Sequence, residues 1–304
     1  MRQKIIFLSG IPGSGKSTFS KSIIEKEVGK WKRINNDSLR ESFDFYLSLG
    51  KDGELIGFVR RSLIKEFLRR GYNLIIDNSN IWNSGSLWNE VVLIAELLNL
   101  NVDIEEVRLY CPLEEAIERD SKRSGFARVG EKVIKEFWEK SGKENFKNYT
   151  PKKQSINKID KILQNKDLEK AAIFDLDGTL CNISHRNPYN TSLCLDDKPN
   201  DYVLYLCKKF HKDSKIFFFS GRSEEYRDLT NKWLEKHFST DYSLHMRKKN
   251  DKRKDFIVKK ELFNEVIKDK YNVIAVVDDR LEVCELWHNL GLPLFRVGDP
   301  NANF

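Results

Sequence analysis

Two short motifs constrain the fold of this 304-residue chain, because each directly follows an apolar run of strand length. The first, GIPGSGKST (residues 10–18), follows KIIFLS, and the second, DLDGT (residues 175–179), follows AAIF. In open α/β sheets, ligands bind beyond the carboxyl ends of the strands. The sequence therefore predicts two sheets, each with a binding site at that edge.

Strand-like and helix-like stretches alternate along both halves of the chain, which is typical of parallel sheets covered by helices. The predicted strands are Lys4–Ser9, Arg33–Asn35, Asn73–Asp77, Glu105–Tyr110, Ala171–Asp175, Lys215–Ser220, Ser243–Met246, Val273–Asp278 and Leu294–Val297. The predicted helices are Leu87–Leu98, Leu113–Lys122, Asp201–Phe210, Glu224–Phe238 and Leu281–Leu290. We predict the α/β class, with two doubly wound parallel-sheet domains at residues 1–150 and 165–304. The boundary is expected in the polar stretch GKENFKNYTPKKQSINK (residues 142–158).

Composition favours a soluble globular protein, with 40% hydrophobic and 33% charged residues. We expect neither a membrane span nor a signal peptide, because the chain has no long apolar run and moves from Met1 directly into a strand-like segment. The five cysteines lack CxxC spacing, which argues against a zinc site and favours a reducing cytoplasm, that of a host cell if the chain is viral. A net charge of +7 permits a polyanionic partner without requiring one.

The first motif satisfies the phosphate-binding pattern G-x-x-x-x-G-K-[ST]. Its glycines let backbone N–H groups turn toward phosphate oxygens, and a helix that starts near Lys16 adds its positive end. Lys16 is expected to reach the β- and γ-phosphates, and Ser17 offers a hydroxyl to Mg²⁺. The predicted cofactors are therefore ATP and Mg²⁺, and the predicted ATP-binding residues are Gly10, Gly13, Gly15, Lys16, Ser17 and Thr18.

The acceptor side of such a site needs a base and a phosphate contact, and NNDSLR offers Asp37 and Arg40. Asp37 is equally suited to cap a helix, so both interpretations remain open. Asp77, at a strand end in IIDNSN, is either a metal or catalytic neighbour or part of a capped turn. Arg119 and Arg123 lie four residues apart near the end of a predicted helix, either on a lid over ATP or on a solvated helix end.

The second motif places Asp175 and Asp177 two residues apart after a strand, so their side chains point the same way if the strand continues. One carboxylate can attack phosphorus while the other transfers a proton, with Mg²⁺ neutralising the phosphate. Complementary groups follow downstream, and these are Ser220, Gly221 and Arg222, then Lys254 and Lys259, then Asp278 and Asp279. The basic block MRKKNDKRKD (residues 246–255) is either a solvated loop or, through Arg247, a contact to a phosphodiester backbone.

With these motifs in place, the second half resembles the haloacid-dehalogenase-type phosphatases. The whole chain resembles the bifunctional polynucleotide kinase–phosphatases of the phage type, through GIPGSGKST, NNDSLR, SKR, FDLDGTL, SGR and VDDR. The resemblance implies phosphorylation of a 5′-OH end and removal of a 3′-phosphate from DNA or RNA. It leaves open whether a 2′,3′-cyclic phosphate is opened, which nucleic acid is preferred, and whether the protein oligomerises. A nucleic-acid ligase is the implied functional partner.

The resemblance also implies roles for individual residues. In the kinase half, Asp37 matches the general base, Arg40 the acceptor-phosphate contact and Arg123 the lid arginine, with Arg119 on ATP. In the phosphatase half, Asp175 matches the nucleophile and Asp177 the general acid–base. The remaining matches are substrate contacts at Ser220, Gly221, Arg222, Arg247 and Lys259, and metal contacts at Ser17, Asp175, Asp177, Asp278 and Asp279.

Two other interpretations compete with this one. A small-molecule or nucleoside kinase fused to a nucleotidase would use the same phosphate chemistry without a basic surface for a polymer. A nucleotide-dependent binding module with inactive sites would not need Lys16, Asp37, Asp175 and Asp177, all of which are present.

Overall fold

The computed structural model describes residues 2–43, 52–81, 84–148, 150–188 and 190–298. The chain divides into two compact units, Met1–Lys158 and Ile159–Phe304. The division therefore lies at the end of the polar stretch 142–158. Among the described residues, none of the helices has both the length and the apolar character needed to cross a membrane.

The first unit is built on a five-stranded sheet in the order β2-β3-β1-β4-β5. Its strands are β1 Gln3–Ser9, β2 Trp31–Ile34, β3 Asn73–Asp77, β4 Val102–Arg108 and β5 Lys153–Ile156. Its helices are α1 Lys16–Lys26, α2 Asn36–Ser42, α3 Asp52–Arg69, α4 Ser84–Leu97, α5 Leu113–Ser121 and α6 Glu131–Lys140. β1 pairs in parallel with β3 and β4, so the first motif leaves the centre of the sheet at its carboxyl edge.

The second unit has a five-stranded parallel sheet in the order β10-β9-β6-β11-β12. Its strands are β6 Lys170–Phe174, β7 Cys181–Asn182, β8 Lys198–Pro199, β9 Lys215–Ser223, β10 Ser243–Arg247, β11 Asn272–Asp278 and β12 Leu294–Arg296. Its helices are α7 Asp201–Phe210, α8 Arg227–His237, α9 Asp255–Val266 and α10 Leu281–Asn289. β7 and β8 form a short antiparallel ribbon after the second motif, which leaves the central strand β6.

Burial on both faces explains why the central strands form. Along β1, Ile5 and Phe7 pack into one apolar cluster, and Ile6 and Leu8 pack into the cluster on the opposite face of the sheet. Near-continuous apolar runs of this kind are typical of parallel strands covered by helices on both sides. The predicted fold class, two parallel-sheet α/β domains, is confirmed.

The edge of the first sheet differs from the prediction. β5 lies in the stretch predicted as a linker and pairs antiparallel with β4. Three of its four residues are exposed, so its polar composition gave no sign of a strand. A hydrogen bond from Trp88 Nε1 to Gln154 Oε1 (2.9 Å) helps to hold β5 in place. β4 also starts earlier than predicted, because Val102 and Ile104 are buried. Helices α3, α6 and α9 were not predicted, and part of the segment before α3 lies outside the described residues.

We expect Leu74→Ala to destabilise the protein by about 2–5 kcal/mol, the usual cost of removing a fully buried leucine side chain. Leu74 lies on β3 with no solvent exposure. Urea unfolding followed by circular dichroism measures the change. The control is Val28→Ala, because Val28 is 83% exposed and should change little. A loss of stability as small as that of the control would mean that the core around β3 is not tightly packed.

Candidate active sites

The first motif forms a loop that needs glycine at specific positions. Gly13 and Gly15 have φ angles of 85° and 91°, in the left-handed region that favours glycine. A Cβ on Gly10 would lie 2.5 Å from Ser14 Oγ and 2.7 Å from the Leu109 carbonyl oxygen. Since α1 begins directly after Gly15, the loop and the helix N-terminus together make an anion-binding site.

The side chain of Lys16 is hydrogen-bonded to the backbone of this loop. Its Nζ donates to the carbonyl oxygens of Gly10 and Ile11, both at 2.8 Å. Burial lowers the pKa of Lys16 to about 8, with nearby Asp77 opposing the shift and Arg123 adding to it. Ser14 Oγ is buried and has no hydrogen-bond partner in the described part of the chain. An anionic phosphate group fits these donors and would favour the charged form of Lys16.

The end of β3 lies next to this loop, and the residue that joins them was missed by the sequence analysis. Arg33 Nε donates to Asp77 Oδ2 (2.6 Å), and Arg33 Nη2 donates to Ser17 Oγ (3.3 Å). Asp77 is 1% exposed and also accepts a hydrogen bond from Ser20 (3.3 Å). The only available signal was a basic residue on a predicted strand, which gave no reason to pair it with Asp77.

Asp37 does not cap helix α2. The cap is Asn35, whose side chain accepts from the Ser38 N–H (2.8 Å). Asp37 is the second residue of the helix, with its side chain 67% exposed, and it accepts from Arg40 Nη1 (2.7 Å). The structure therefore leaves the Asp37 carboxylate accessible beside Arg40, where its predicted role as a base stays a prediction.

The two predicted lid arginines have different neighbours. Arg119 Nη1 donates to the Gly13 carbonyl oxygen (3.1 Å), which places Arg119 against the phosphate loop. Arg123 pairs with Asp120 (3.6 Å), and Asp120 in turn accepts from the Gly130 N–H (2.9 Å). The segment after α5 is thus folded back on that helix, with Arg123 40% exposed. Thr18 is exposed in the first turn of α1.

In the second unit, one lysine lies among several carboxylates. Lys259 Nζ is 2.6 Å from Asp175 Oδ1, 2.9 Å from Asp278 Oδ2 and 3.5 Å from Asp255 Oδ2, and Lys259 is 1% exposed. Burial raises the pKa of Asp175 well above its usual value, which Lys259 opposes and the carboxylates of Asp278 and Asp279 reinforce.

The carboxylates in this cluster outnumber its one lysine. Asp175, Asp278 and Asp279 each offer an oxygen, and the three oxygens lie within 4.8 Å of one another. A divalent cation would offset the excess negative charge, and carboxylate oxygens are the ligands that Mg²⁺ prefers. The turn that forms this site is crowded, because a Cβ on Gly178 would lie 2.2 Å from Asp279 Oδ2. These residues therefore fit a bound Mg²⁺.

Asp177 lies apart from this carboxylate cluster, in a network of two arginines and two aspartates. It accepts from Arg222 Nε (3.0 Å) and from Arg186 Nη2 (2.9 Å). Asp197 accepts from the same guanidinium groups, from Arg186 Nε at 2.7 Å and from Arg222 Nη2 at 2.8 Å. Two fixed positive groups make a cation beside Asp177 and Asp197 unfavourable, so the predicted metal contact of Asp177 stays a prediction.

The remaining predicted residues meet at the ends of β9 and β10. Ser220 is 1% exposed, and its Oγ accepts from the Arg222 N–H (3.2 Å). Arg247 Nε donates to the Gly221 carbonyl oxygen (2.9 Å), and its Nη2 donates to Asp255 Oδ1 (3.0 Å). Arg247 is thus held by the protein itself, and its contact to substrate stays a prediction.

The basic block is partly neutralised by neighbouring acidic residues. Arg253 pairs with Asp251 (2.7 Å) and Glu261 (2.6 Å), and Lys254 pairs with Glu282 (3.5 Å). Of the two predicted lysines, it is Lys259 rather than Lys254 that reaches Asp175.

Three residues of the second site were missed, namely Arg186, Asp197 and Asp255. Arg186 and Asp197 lie in the irregular segment between β7 and β8, where neither periodicity nor a strand end marks them. Asp255 lies four residues before Lys259 on α9, a spacing that could have indicated the pair.

The two units have the folds of a P-loop kinase-type domain and a haloacid-dehalogenase-type phosphatase domain, and comparisons with known proteins agree. Residues 169–302 match the family model for the phosphatase domain of polynucleotide kinase PNKP, and residues 5–143 match an AAA domain model. A chain in the structure of the Pnkp1/Rnl/Hen1 RNA repair complex is 32% identical, covering 99% of this chain and 97% of that one, with a TM-score of 0.47.

Two curated proteins are also similar. A protein of Autographa californica nuclear polyhedrosis virus, named as a bifunctional polynucleotide kinase/RNA ligase, is 31% identical over 310 residues, covering 96% of this chain. This chain spans only 42% of that viral protein. The L-seryl-tRNA(Sec) kinase of Methanococcus maripaludis is 32% identical over 148 residues, covering 45% of this chain and 51% of that kinase. The chain belongs to the family of bifunctional polynucleotide kinase–phosphatases, which confirms the resemblance inferred from its motifs.

We expect Arg222→Met to destabilise the second unit by about 3–5 kcal/mol, because it leaves buried carboxylates with too few positive partners. The Arg222 side chain is fully buried between Asp177 and Asp197. Arg253→Met is the matched control, since Arg253 also pairs with two carboxylates but is 48% exposed. Urea unfolding should show a much smaller loss of unfolding free energy for the control. Equal losses in the two variants would contradict the importance of the buried network.

Proposed function

We propose that this protein heals broken nucleic-acid strands by phosphorylating a 5′-OH end and hydrolysing a 3′-phosphate end. The observation that carries the proposal is the presence in one chain of a phosphate loop beside an exposed aspartate–arginine pair and of a buried aspartate–lysine cluster. The two reactions act on opposite ends of a break, so the activities do not cancel each other. The sequence similarity over nearly the full length of a chain from an RNA repair complex supports this pairing.

In the kinase unit, the loop residues and Lys16 hold the phosphates of ATP, while Ser17 would hold Mg²⁺. The metal would neutralise charge on the transferring phosphoryl group. Asp37 takes the proton of the 5′-hydroxyl as its oxygen attacks the γ-phosphorus, and ADP leaves. Arg40 holds the phosphate of the acceptor strand, and Arg123, with Arg119, offsets charge on the transferred group. The exposure of Asp37 suits a residue that must reach a bulky substrate.

In the phosphatase unit, an Asp175 oxygen attacks phosphorus while Asp177 gives a proton to the departing 3′ oxygen. Asp177 then removes a proton from water, which attacks the aspartyl phosphate and releases inorganic phosphate. Lys259 and Ser220 hold the phosphoryl oxygens. Asp175, Asp278 and Asp279 would hold Mg²⁺, and the metal would neutralise the phosphate charge. A phosphate ester at this site would compete with Asp177 for the donors on Arg222 and Arg186.

Partners follow from the same proposal. The product ends are suited to a ligase, and a similar chain comes from the structure of the Pnkp1/Rnl/Hen1 RNA repair complex. We therefore propose RNA ends as a substrate and a ligase as a partner, with DNA ends as the comparison to be measured. The cysteines at positions 111, 181, 194, 207 and 284 are free and buried, which suits a reducing cytoplasm.

The proposal is tested with labelled ATP and oligonucleotides that carry either a 5′-OH or a 3′-phosphate. Both activities are expected in the wild-type protein, on RNA and DNA ends measured in parallel. Lys16→Ala should abolish phosphorylation and keep dephosphorylation, and Asp175→Asn should do the reverse. Transfer only to a nucleoside or another small molecule, with no activity on oligonucleotide ends, would instead establish the small-molecule kinase fused to a nucleotidase.

We expect Asp37→Asn to lower kinase turnover by about a hundredfold to ten-thousandfold, as the loss of a positioned base does. Because Asn35 caps α2, the substitution should leave thermal stability nearly unchanged. The matched control is Asn35→Ala, which should lower stability through loss of the cap. Near-normal turnover in Asp37→Asn would show that Asp37 is not the base.

A further inference from the structure

The outward face of helix α7 carries an unusual pair of exposed aromatic rings. Tyr202 is 89% exposed and Tyr205 is 63% exposed, three residues apart and therefore on one side of the helix. Lys208 and Lys209 follow in the next turn, and Lys209 Nζ lies 4.9 Å from the centre of the Tyr205 ring. These four residues are named the α7 face.

The tyrosines are not needed to hold the helix in place. Val203, Leu204 and Cys207 are the buried residues of α7, and they pack in the core of the second unit. Two neighbouring exposed tyrosines on a helix that is already anchored indicate a surface used for contact, since polar residues would serve the fold equally well.

The α7 face begins next to the phosphatase site. Strand β8 leads directly into α7 and pairs with β7, which follows the Asp175–Thr179 turn. The N–H of Asn200 donates to the Leu180 carbonyl oxygen (2.8 Å), which fastens the start of α7 to this turn. Asp197, five residues before Tyr202, accepts from Arg222, which also donates to Asp177.

The direction of the helix extends this surface away from the site. α7 follows β8 and is the last element of the crossover from β6 to β9, two parallel neighbours in the sheet, so it starts near the edge where β6 ends and runs toward the opposite edge. Ten residues of helix cover about 15 Å, the length of a few nucleotides of single strand. Tyr202 thus lies at the end near Asp175, and the two lysines lie toward the far end.

We propose that the α7 face binds the nucleotides that precede a 3′-phosphate terminus, with bases stacked on Tyr202 and Tyr205 and phosphodiesters held by Lys208 and Lys209. This rests on the proposed phosphatase function. A strand whose last phosphate lies at Asp175 must leave the site over the protein surface. Exposed aromatic rings combined with basic residues are the usual means of binding single strands without regard to sequence. The lysine pair favours a polyanion over an apolar protein partner.

The test compares a long and a short substrate for dephosphorylation by the full-length protein. In Tyr202→Ala/Tyr205→Ala, KM for a single-stranded 3′-phosphate oligonucleotide of about ten nucleotides should rise at least about tenfold with kcat unchanged. The rate on a nucleoside 3′-monophosphate should not change, because that substrate does not reach α7. In Lys208→Ala/Lys209→Ala, the dependence of log(kcat/KM) on log salt should flatten by about 0.7 per lysine.

Matched variants separate stacking from other effects. Tyr202→Phe/Tyr205→Phe keeps the rings and should behave as the wild type, and Leu163→Ala removes a 94% exposed apolar side chain from a different segment of the same unit and should also have no effect. An unchanged KM on the long substrate in the double alanine variant would overturn the inference. It would do so even if the same variant failed to bind a protein partner. Failure of the wild type to dephosphorylate any oligonucleotide would overturn the proposed function itself.

Discussion

The phosphatase unit depends on the ion pairs of one buried ammonium group. Lys259 holds Asp175, which directly follows β6, together with Asp255 of α9 and Asp278 of β11. Carboxylates so close together would repel one another without it. Lys259 thus makes the cluster stable enough to form. The cluster nevertheless keeps a net negative charge, which suits the binding of a cation. The strands deliver the residues, and this interaction sets how near they come to each other.

A similar principle operates in the kinase unit, with the signs reversed. The loop between β1 and α1 presents backbone donors and Lys16, and the charge of the buried Asp77 offsets part of that positive charge while Asp77 also pairs with Arg33. In both units, therefore, a buried charge of the opposite sign supports the group that we propose contacts phosphate. Arginines such as Arg33 and Arg222 connect parts of the chain that are far apart in sequence, because a guanidinium group donates in several directions at once.

The sequence predicted those parts of the fold and sites that follow local rules. Residues at strand ends, such as Asp175 and Asp278, were predicted because apolar strands end visibly and parallel strands share an edge. Arg186 and Asp197 were missed because they lie in an irregular segment whose path depends on contacts formed only after folding. β5 was missed for a related reason: an exposed edge strand carries no apolar pattern. The sequence left Asp37 as either a base or a helix cap. The structure excludes the cap, because Asn35 occupies that position.

The hydrogen bonds from Lys16 to its own loop have a consequence for the kinetics of nucleotide binding. The ammonium group donates to the carbonyl oxygens of Gly10 and Ile11, so contacts within the protein itself help to fix the curved shape of the loop. Nucleotide entry is then an exchange of hydrogen-bond partners and not a folding step, and little conformational entropy is lost on binding.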